Sequence, residues 1–320
     1  MTRVTVSIVN YRTPLLVNEC VASIKRHPPT LASIEIAVVE NGSGDDSLAM
    51  IVAAHPDIRL VDAGANLGFA GGNNLVLRDC QSDFVMLLNS DALVEDGTFD
   101  RLIEVMLANP QAGAAGSRIV NASDGADQDY PAGFPSLRGM TLRALRGAEY
   151  PAAGHDAPIA MERLHGAGMM MRGTVMRRIG VLDDGFFMYD EDVDWCVRAR
   201  AVGCTLWLVP ASRVLHHGGA SSGRAPSGRR PSVEASEGAL RMRYELRRSR
   251  YRLYRKHRSA AELCALKAMT DAIMALHSLK AALTWITSPA RRRHATALLR
   301  SNLRIVSLNP FSIDGPQHGT

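Results

Sequence analysis

The first 120 residues switch repeatedly between two periodicities, and this narrows the folds open to the chain more than any other feature. "VTVSIVNY", "IEIAVVEN", "IRLVDA" and "DFVMLLNSD" are short apolar runs, the first three rich in β-branched residues. Between them, "PLLVNECVASIKRH", opened by Pro14, "DDSLAMIVAAH" and "AGGNNLVLRDC" carry helical spacing. Strands joined by helical crossovers must run parallel, so the pattern predicts an α/β fold with a mostly parallel central sheet flanked by helices. Ligands in such sheets gather beyond the carboxyl ends of the strands. Three polar clusters, "NYRTP", "ENGSGDD" and "NSDALVEDG", fall at those ends.

Further along, residues 121–164 are irregular, with one helix expected around "LRGMTLRALRG". "GAGMMMRGTVMRRIG" reads as a strand feeding a helix, and "TLWLVP" as the strand that closes the core. The composition of "HHGGASSGRAPSGRRPSVEASEG" is that of a linker or loop, and two basic helical segments follow it. The division expected is a catalytic body over 1–220, a Gly/Ser/Arg-rich connection over 221–238 and a basic helical extension over 239–320. Charge supports two unlike parts. Arg224 to Arg304 holds 19 Lys/Arg against 5 Asp/Glu, whereas the rest holds 18 against 27, so anionic partners are expected for the extension.

Five scattered cysteines without a CxxC pair exclude a zinc cluster or a disulfide framework and point to a reducing compartment. The N-terminus alternates like a strand and lacks the order of a secretory leader. The most apolar stretch, "AMTDAIMALHSLKAALTWITS", is interrupted by Asp271, His277 and Lys280, so a membrane span is not expected.

Four features bear on chemistry. The glycines of "GANLGFAGGNN" (Gly64, Gly68, Gly71, Gly72) lie between strand and helix, where backbone can approach a diphosphate; the spacing is not GxGxxG, and a tight turn without ligand is the plain alternative. Asp91 directly follows a buried strand, as a ligand for a hard cation held by substrate phosphates would, or as a turn former would. His216 and His217 in "LHHGGAS", taken to follow the last core strand, are metal or phosphate contacts, or structural. "FFMYDEDVDWCVRARAVG" places Asp190, Glu191, Asp192 and Asp194 at a helix start. First-turn acids complement the helix dipole, and Asp194 can pair with Arg198. Asp192 falls beside the buried side, where a carboxylate is costly unless something requires it.

"VSIVNYRT", "VVENGSGD", "NLGFAGGNN", "LLNSDALV", the acidic stretch and "LHHGGAS", in this order over residues 3 to 220, resemble inverting nucleotide-sugar glycosyltransferases of family 2, with the GT-A fold, in their rhamnosyltransferase-like branch. The resemblance implies a nucleotide base near Val9, Tyr11 and Glu40, where the family usually has Asp, and a donor contacted by Asn66, Gly68, Gly71, Asn73, Asn89 and Ser90. It implies Mg²⁺ or Mn²⁺ on Asp91 and His216, with Asn89 standing where the family has another Asp. It implies Asp192 as the general base, with Glu191 before it. Arg224, Arg229 and Arg230 are expected on a loop closing over the donor.

The function implied is transfer of L-rhamnose from dTDP-L-rhamnose, with inversion, to a polyprenyl-diphosphate-linked saccharide in cell-envelope polysaccharide synthesis. A UDP- or GDP-linked sugar is the alternative donor. The expected location is cytoplasmic, peripheral on the inner face of the plasma membrane. Tyr244, Tyr251, Tyr254, Leu253, Leu266, Met269, Ile273 and Trp285 would face the anionic leaflet; a packed helical subdomain or a homo-oligomer contact is the other reading of the extension. Nucleic-acid binding through that basic region is the alternative of another class, but no zinc finger, RNP pattern or basic zipper accompanies it, so no nucleic acid is expected. Intact Asp91 and Asp192 argue against an inactive sensor.

Overall fold

The computed structural model describes residues 1–218 and 237–313. The alternation of the first half becomes β1 (Thr2–Asn10), α1 (Pro14–Arg26), β2 (Ala32–Glu40), α2 (Ser47–Ala54), β3 (Arg59–Asp62), α3 (Gly68–Leu77) and β4 (Phe84–Asn89). β5 (Ala92–Val94), α4 (Thr98–Ala108), β6 (Ala112–Asn121), α5 (Leu137–Arg146), β7 (Ile159–Ala160), β8 (Gly168–Arg172), α6 (Gly173–Ile179), α7 (Glu191–Ala201) and β9 (Thr205–His216) follow. The sheet order is β3-β2-β1-β4-β8-β6-β9-β5, with β7 on β9. Among the described residues, β1 to β4, β6 and β9 point one way and β5, β7 and β8 the other, so the sheet is mixed but mostly parallel.

β2 lies on one side of β1 and β4 on the other, so the chain reverses its winding here, and the ends of these strands present Asn10, Glu40 and Asn89. Such a switch point leaves a crevice for ligand. Val4, Val6 and Ile8 of β1 and Val85 to Leu88 of β4 are buried, as strands covered on both faces must be.

The last strand is longer than its sequence suggests. Pro210 reads as an end, yet it sits where the pairing of β6 and β9 skips from Ser117–Val209 to Arg118–Arg213, an irregularity that tolerates a residue without N–H. β9 therefore runs on to His216, which is a strand residue paired with Ala92 and Asn121 and does not follow the strand.

Beyond β9 lie α8 (Glu237–His257), α9 (Ala260–Thr287) and α10 (Arg292–Val306). The connection expected over 221–238, with Arg224, Arg229 and Arg230, falls almost wholly outside the described residues. α8 is fixed to the body. Leu253 packs with Phe186 and Val193, Ser249 Oγ donates to the Met188 carbonyl (2.7 Å), and the Tyr254 hydroxyl donates to the Pro135 carbonyl (2.7 Å). Tyr251, Tyr254, Leu253 and Leu266 are buried, so they are not the residues through which the extension meets a membrane; their hydrophobic surface is spent inside the protein. Ile273 and Trp285 are exposed. Among the described residues no helix is long and apolar enough to cross a membrane.

Candidate active site

The crevice wall at β1 and β2 is a hydrogen-bonded knot. Asn10 Oδ1 accepts from the Thr13 N–H and hydroxyl, Asn10 Nδ2 donates to Ser43 Oγ, and Thr13 Oγ1 donates to Ser90 Oγ (3.2 Å). Val9 and Tyr11 are half-buried at its rim. Glu40 is buried, and its carboxylate accepts the N–H groups of Gly42 (3.1 Å) and Ser43 (2.8 Å). Its longer side chain thus caps the loop that follows β2.

The glycine-rich turn is braced from the same loop. Asn41 Oδ1 accepts from Leu67 N–H, its Nδ2 donates to the Gly68 carbonyl, and Asn66 Oδ1 accepts from Gly68 N–H. Gly68 has φ +73° and runs so close to the acidic stretch that a Cβ would lie 2.0 Å from the Phe187 carbonyl oxygen. The Phe69 N–H donates to that same oxygen at 2.7 Å. Gly71 lies on the first turn of α3. Asn73 does not reach the crevice: it is fully buried, accepting from Ser7 Oγ and donating to the Phe69 carbonyl, which ties α3 to β1.

At the end of β4, Asp91 Oδ1 lies 3.1 Å from His216 Nε2, and both residues are buried. Gln128 fixes the histidine tautomer. Its Nε2 donates to Asn121 Oδ1 (2.9 Å) and to the His216 carbonyl (2.8 Å), so its Oε1 faces His216 Nδ1 at 2.9 Å and accepts that proton. Nε2 is the nitrogen that faces Asp91, and Asn89 Nδ2 approaches it at 3.0 Å. A carboxylate and an oriented imidazole, side by side at a strand end, suit a divalent cation that takes its remaining ligands from water and substrate phosphates. Asp91 and His216 would hold such an ion.

Opposite stands the acidic stretch, with its four carboxylates in different states. Tyr189 (φ 71°) and Asp190 (φ 64°) are both left-handed, which costs of order 1–3 kcal/mol each for residues other than glycine. The expected role of Asp190 as helix-start charge is not what holds it, since its side chain caps no helix N–H. It is gripped by Arg250 of α8 through two bonds, Nε to Oδ2 (2.6 Å) and Nη2 to Oδ1 (3.0 Å). Asp194 pairs with Arg198 as expected and also with Lys256 and His257 of α8. Burial alone would raise its pKa, but these cations hold it down to about 2.

Glu191 is enclosed, its Oε2 has no hydrogen-bond partner, and burial together with the Asp192 charge pushes its carboxyl well above the usual range. Asp192 has Oδ2 accepting from Gly166 N–H (2.8 Å) and Oδ1 from its neighbour Val193 N–H (2.7 Å).

The loop His165–Gly166–Ala167 joins the two sides, because Gly166 N–H reaches Asp192 and the Ala167 carbonyl accepts from Asn89 N–H. His165 lies within the fields of Asp192 and His216, and burial pushes its pKa down to about 4, so it is neutral in the working range. The crevice thus brings together Asn66, Gly68, Asn89, Ser90, Asp91, His216 and, through this loop, Asp192. Sequence reasoning missed Gln128, His165, Gly166 and Arg250. The pattern "HGAGMMM", a polar turn into a buried strand, resembles the other strand-end clusters and was the available signal for the loop. Gln128 and Arg250 lie far along the chain from their partners and leave no local pattern.

The model of glycosyl transferase family 2 matches residues 5–197. N-acetylglucosaminyl-diphospho-decaprenol L-rhamnosyltransferase of Mycobacterium tuberculosis is 28% identical over 215 residues, 61% of this chain and 70% of the relative. Rhamnosyltransferase WbbL of Escherichia coli is 26% identical over 48% of this chain and 62% of its own length. The low-salt glycan biosynthesis hexosyltransferase Agl10 of Haloferax volcanii is 28% identical over 57% of this chain and 59% of its own. Two solved structures share the fold at TM-score 0.56. Mannosyltransferase PcManGT from Pyrobaculum calidifontis, in complex with GDP-Man and Mn²⁺, is 18% identical with 95% of this chain and 87% of that one covered. GalNAc-T7 with UDP, GalNAc and Mn²⁺ is 14% identical, with 78% of this chain covered but only 47% of that one.

Proposed function

We propose, on the premise that this chain belongs to glycosyl transferase family 2 as the match over residues 5–197 shows, that it transfers L-rhamnose from dTDP-L-rhamnose, with inversion, to a polyprenyl-diphosphate-linked saccharide. The observation that carries the reading is the Asp91–His216 notch facing Asp192 across the His165–Ala167 loop. The names of the mycobacterial and Escherichia coli relatives support the sugar and the lipid-linked acceptor.

In this reading the nucleotide lies along Val9, Tyr11 and Glu40, and its diphosphate lies between the glycine turn and Asp91. A divalent ion, Mg²⁺ or Mn²⁺, would offset the charge that develops on the departing nucleoside diphosphate. Asp192 takes the proton from the acceptor hydroxyl as that oxygen attacks the anomeric carbon from the face opposite the diphosphate. Glu191 is enclosed, and burial and the Asp192 charge raise its pKa, which works against a second negative charge beside the base. The decisive experiment incubates the protein with dTDP-, UDP- and GDP-sugars, Mg²⁺ or Mn²⁺ and a prenyl-diphosphate-linked acceptor. Rhamnosyl product from dTDP-L-rhamnose is expected; product only from another donor would move the reading to that sugar.

Gln128→Leu is expected to weaken Mn²⁺ binding by about 10- to 100-fold, the usual cost of removing a partner that orients a histidine ligand. Electron paramagnetic resonance titration of Mn²⁺ with dTDP present measures this, and unchanged affinity would remove Gln128 from the site's support.

The protein in this reading works on the inner face of the plasma membrane, through α9. That helix buries Leu263, Leu266, Thr270, Met274 and Ala281 on one side. Its opposite side carries Ala272, Leu276, Leu279, Leu283 and Ile286, and the four larger side chains are 55% to 67% exposed. Residues 272–313 hold six Lys/Arg and no Asp/Glu. A second copy would bring the same uncompensated cations, whereas an anionic leaflet supplies the opposite charge at the depth where such a helix lies. Four basic residues of α8, by contrast, Arg250, Arg252, Lys256 and His257, are spent on Asp183, Asp190 and Asp194, which leaves less for nucleic acid. A Leu279→Glu/Leu283→Glu variant is expected to lose co-sedimentation with phosphatidylglycerol vesicles. Retained binding, or a wild-type dimer that the change makes monomeric, would count against the membrane.

A further inference from the structure

An open cavity of about 1380 Å³ lies beside the acidic stretch, walled by the segment 129–149, Ala160–Arg163, α8 and α9. Its charges are unequal. Of the arginines that line it, Arg250 is engaged by Asp190 and Arg143 by Asp129. Arg163, Arg200 and Arg247 line it too and have no hydrogen bond or ion pair among the described residues; Arg163 Nε is buried without a partner.

Three acids share the wall, none of them paired with Arg163, Arg200 or Arg247. Asp129 holds Arg143, Glu149 Oε2 accepts from Ala132 N–H, and Glu162 Oε2 accepts from Phe134 N–H. Burial and the neighbouring Arg243 and Arg250 charges pull the Arg247 pKa down. The remaining wall is apolar: Phe134, Met140, Leu246, Leu266, Met269 and Ile273. Three guanidinium groups that no carboxylate pairs with, set over an apolar floor in a wall that also carries Asp129, Glu149 and Glu162, fit a ligand with an anionic head and a hydrocarbon chain. Guanidinium forks match phosphate oxygens in particular.

Position narrows the role. Arg163 is two residues before His165, whose loop holds Asp192, and the Arg250 charge is felt by Asp192 as well as Asp190. α9 lines the cavity with Leu266, Met269 and Ile273, one turn from the exposed Leu276.

We propose that this cavity is the acceptor site, with Arg163, Arg200 and Arg247 holding the phosphate groups of a diphosphate-bearing amphiphile and the walls of α8 and α9 receiving the start of its chain. The assignment of the amphiphile as acceptor rests on the glycosyl-transfer reading; the binding itself does not.

The test separates the two. Isothermal titration of the full chain with farnesyl diphosphate, inorganic diphosphate and dTDP measures the cavity without any turnover. Farnesyl diphosphate is expected to bind more tightly than inorganic diphosphate and to be undisplaced by dTDP. Arg163→Gln/Arg247→Gln is expected to weaken it by about tenfold or more while dTDP affinity stays unchanged. In steady-state transfer the same variant is expected to raise the acceptor KM with a smaller change in kcat. Absence of farnesyl diphosphate binding, equal binding by the variant, or displacement by dTDP would overturn the proposal. Binding only to phosphatidylglycerol vesicles would overturn it as well, since the arginines would then serve a headgroup surface. Prenyl diphosphate binding without sugar transfer from any donor would leave the site standing and defeat the reading of the reaction.

Discussion

Asp192→Asn is expected to lower sugar transfer by about 10²- to 10⁴-fold while the protein stays folded and dTDP binding is retained. The side chain keeps an acceptor for one of the two N–H donors that now meet it, Gly166 and Val193, so the expected loss of stability is about 1 kcal/mol. What disappears is the capacity to take a proton. Measured transfer rates against circular dichroism and dTDP affinity separate chemistry from structure. Glu191→Gln provides the contrast: burial already shifts this carboxyl toward its neutral form, which the amide resembles, so its rate should change far less. A near wild-type rate for Asp192→Asn, or a larger loss for Glu191→Gln, would move the base elsewhere.

Arg250→Met is expected to destabilise the chain by about 3–5 kcal/mol, the cost of leaving a buried charge without its partner. Asp190 is almost wholly enclosed, and its two bonds to Arg250 are what oppose the strain of two successive left-handed residues. Denaturant unfolding measures the loss. Arg250→Met/Asp190→Asn should recover part of it, because the uncompensated carboxylate is then gone. Acid should reveal the neighbouring contact too. The Asp194 pKa is depressed to about 2, so its contribution of about 2 kcal/mol is present above the usual carboxylate range and drains away as pH falls from about 5 toward 2. An unfolding midpoint that fails to decline over that interval would contradict the pairing with Lys256 and His257.

These results depend on contacts between distant parts of the chain, and that is where sequence reading stops. The alternation of apolar strands and helices was legible because each element announces its own period, and β1 to β4 formed where the pattern placed them. Strand-end clusters were legible for the same reason, and Asn89, Ser90, Asp91 and His216 do meet at the crevice. Asn73 was misread because a polar residue on a helix face gives no sign of whether it meets ligand or a buried serine such as Ser7. The end of β9 was misread at Pro210, which usually stops a strand and here occupies an irregularity. Asp190 was misread because its partner lies 60 residues further on, in a helix whose arginines look like a solvated basic face. Composition reports how much charge a segment carries. It does not report which acids have already claimed it.

The grip of α8 on the acidic stretch has a consequence for anyone who would recombine such proteins. The family match ends at residue 197, and the chain reads as body and tail, yet the groups that hold Asp190 and Asp194 are Arg250, Lys256 and His257. A tail exchanged between relatives is therefore not a neutral cassette. It carries half of a lock whose other half sits two residues from Asp192, and a graft is expected to keep its fold there only when both halves travel together.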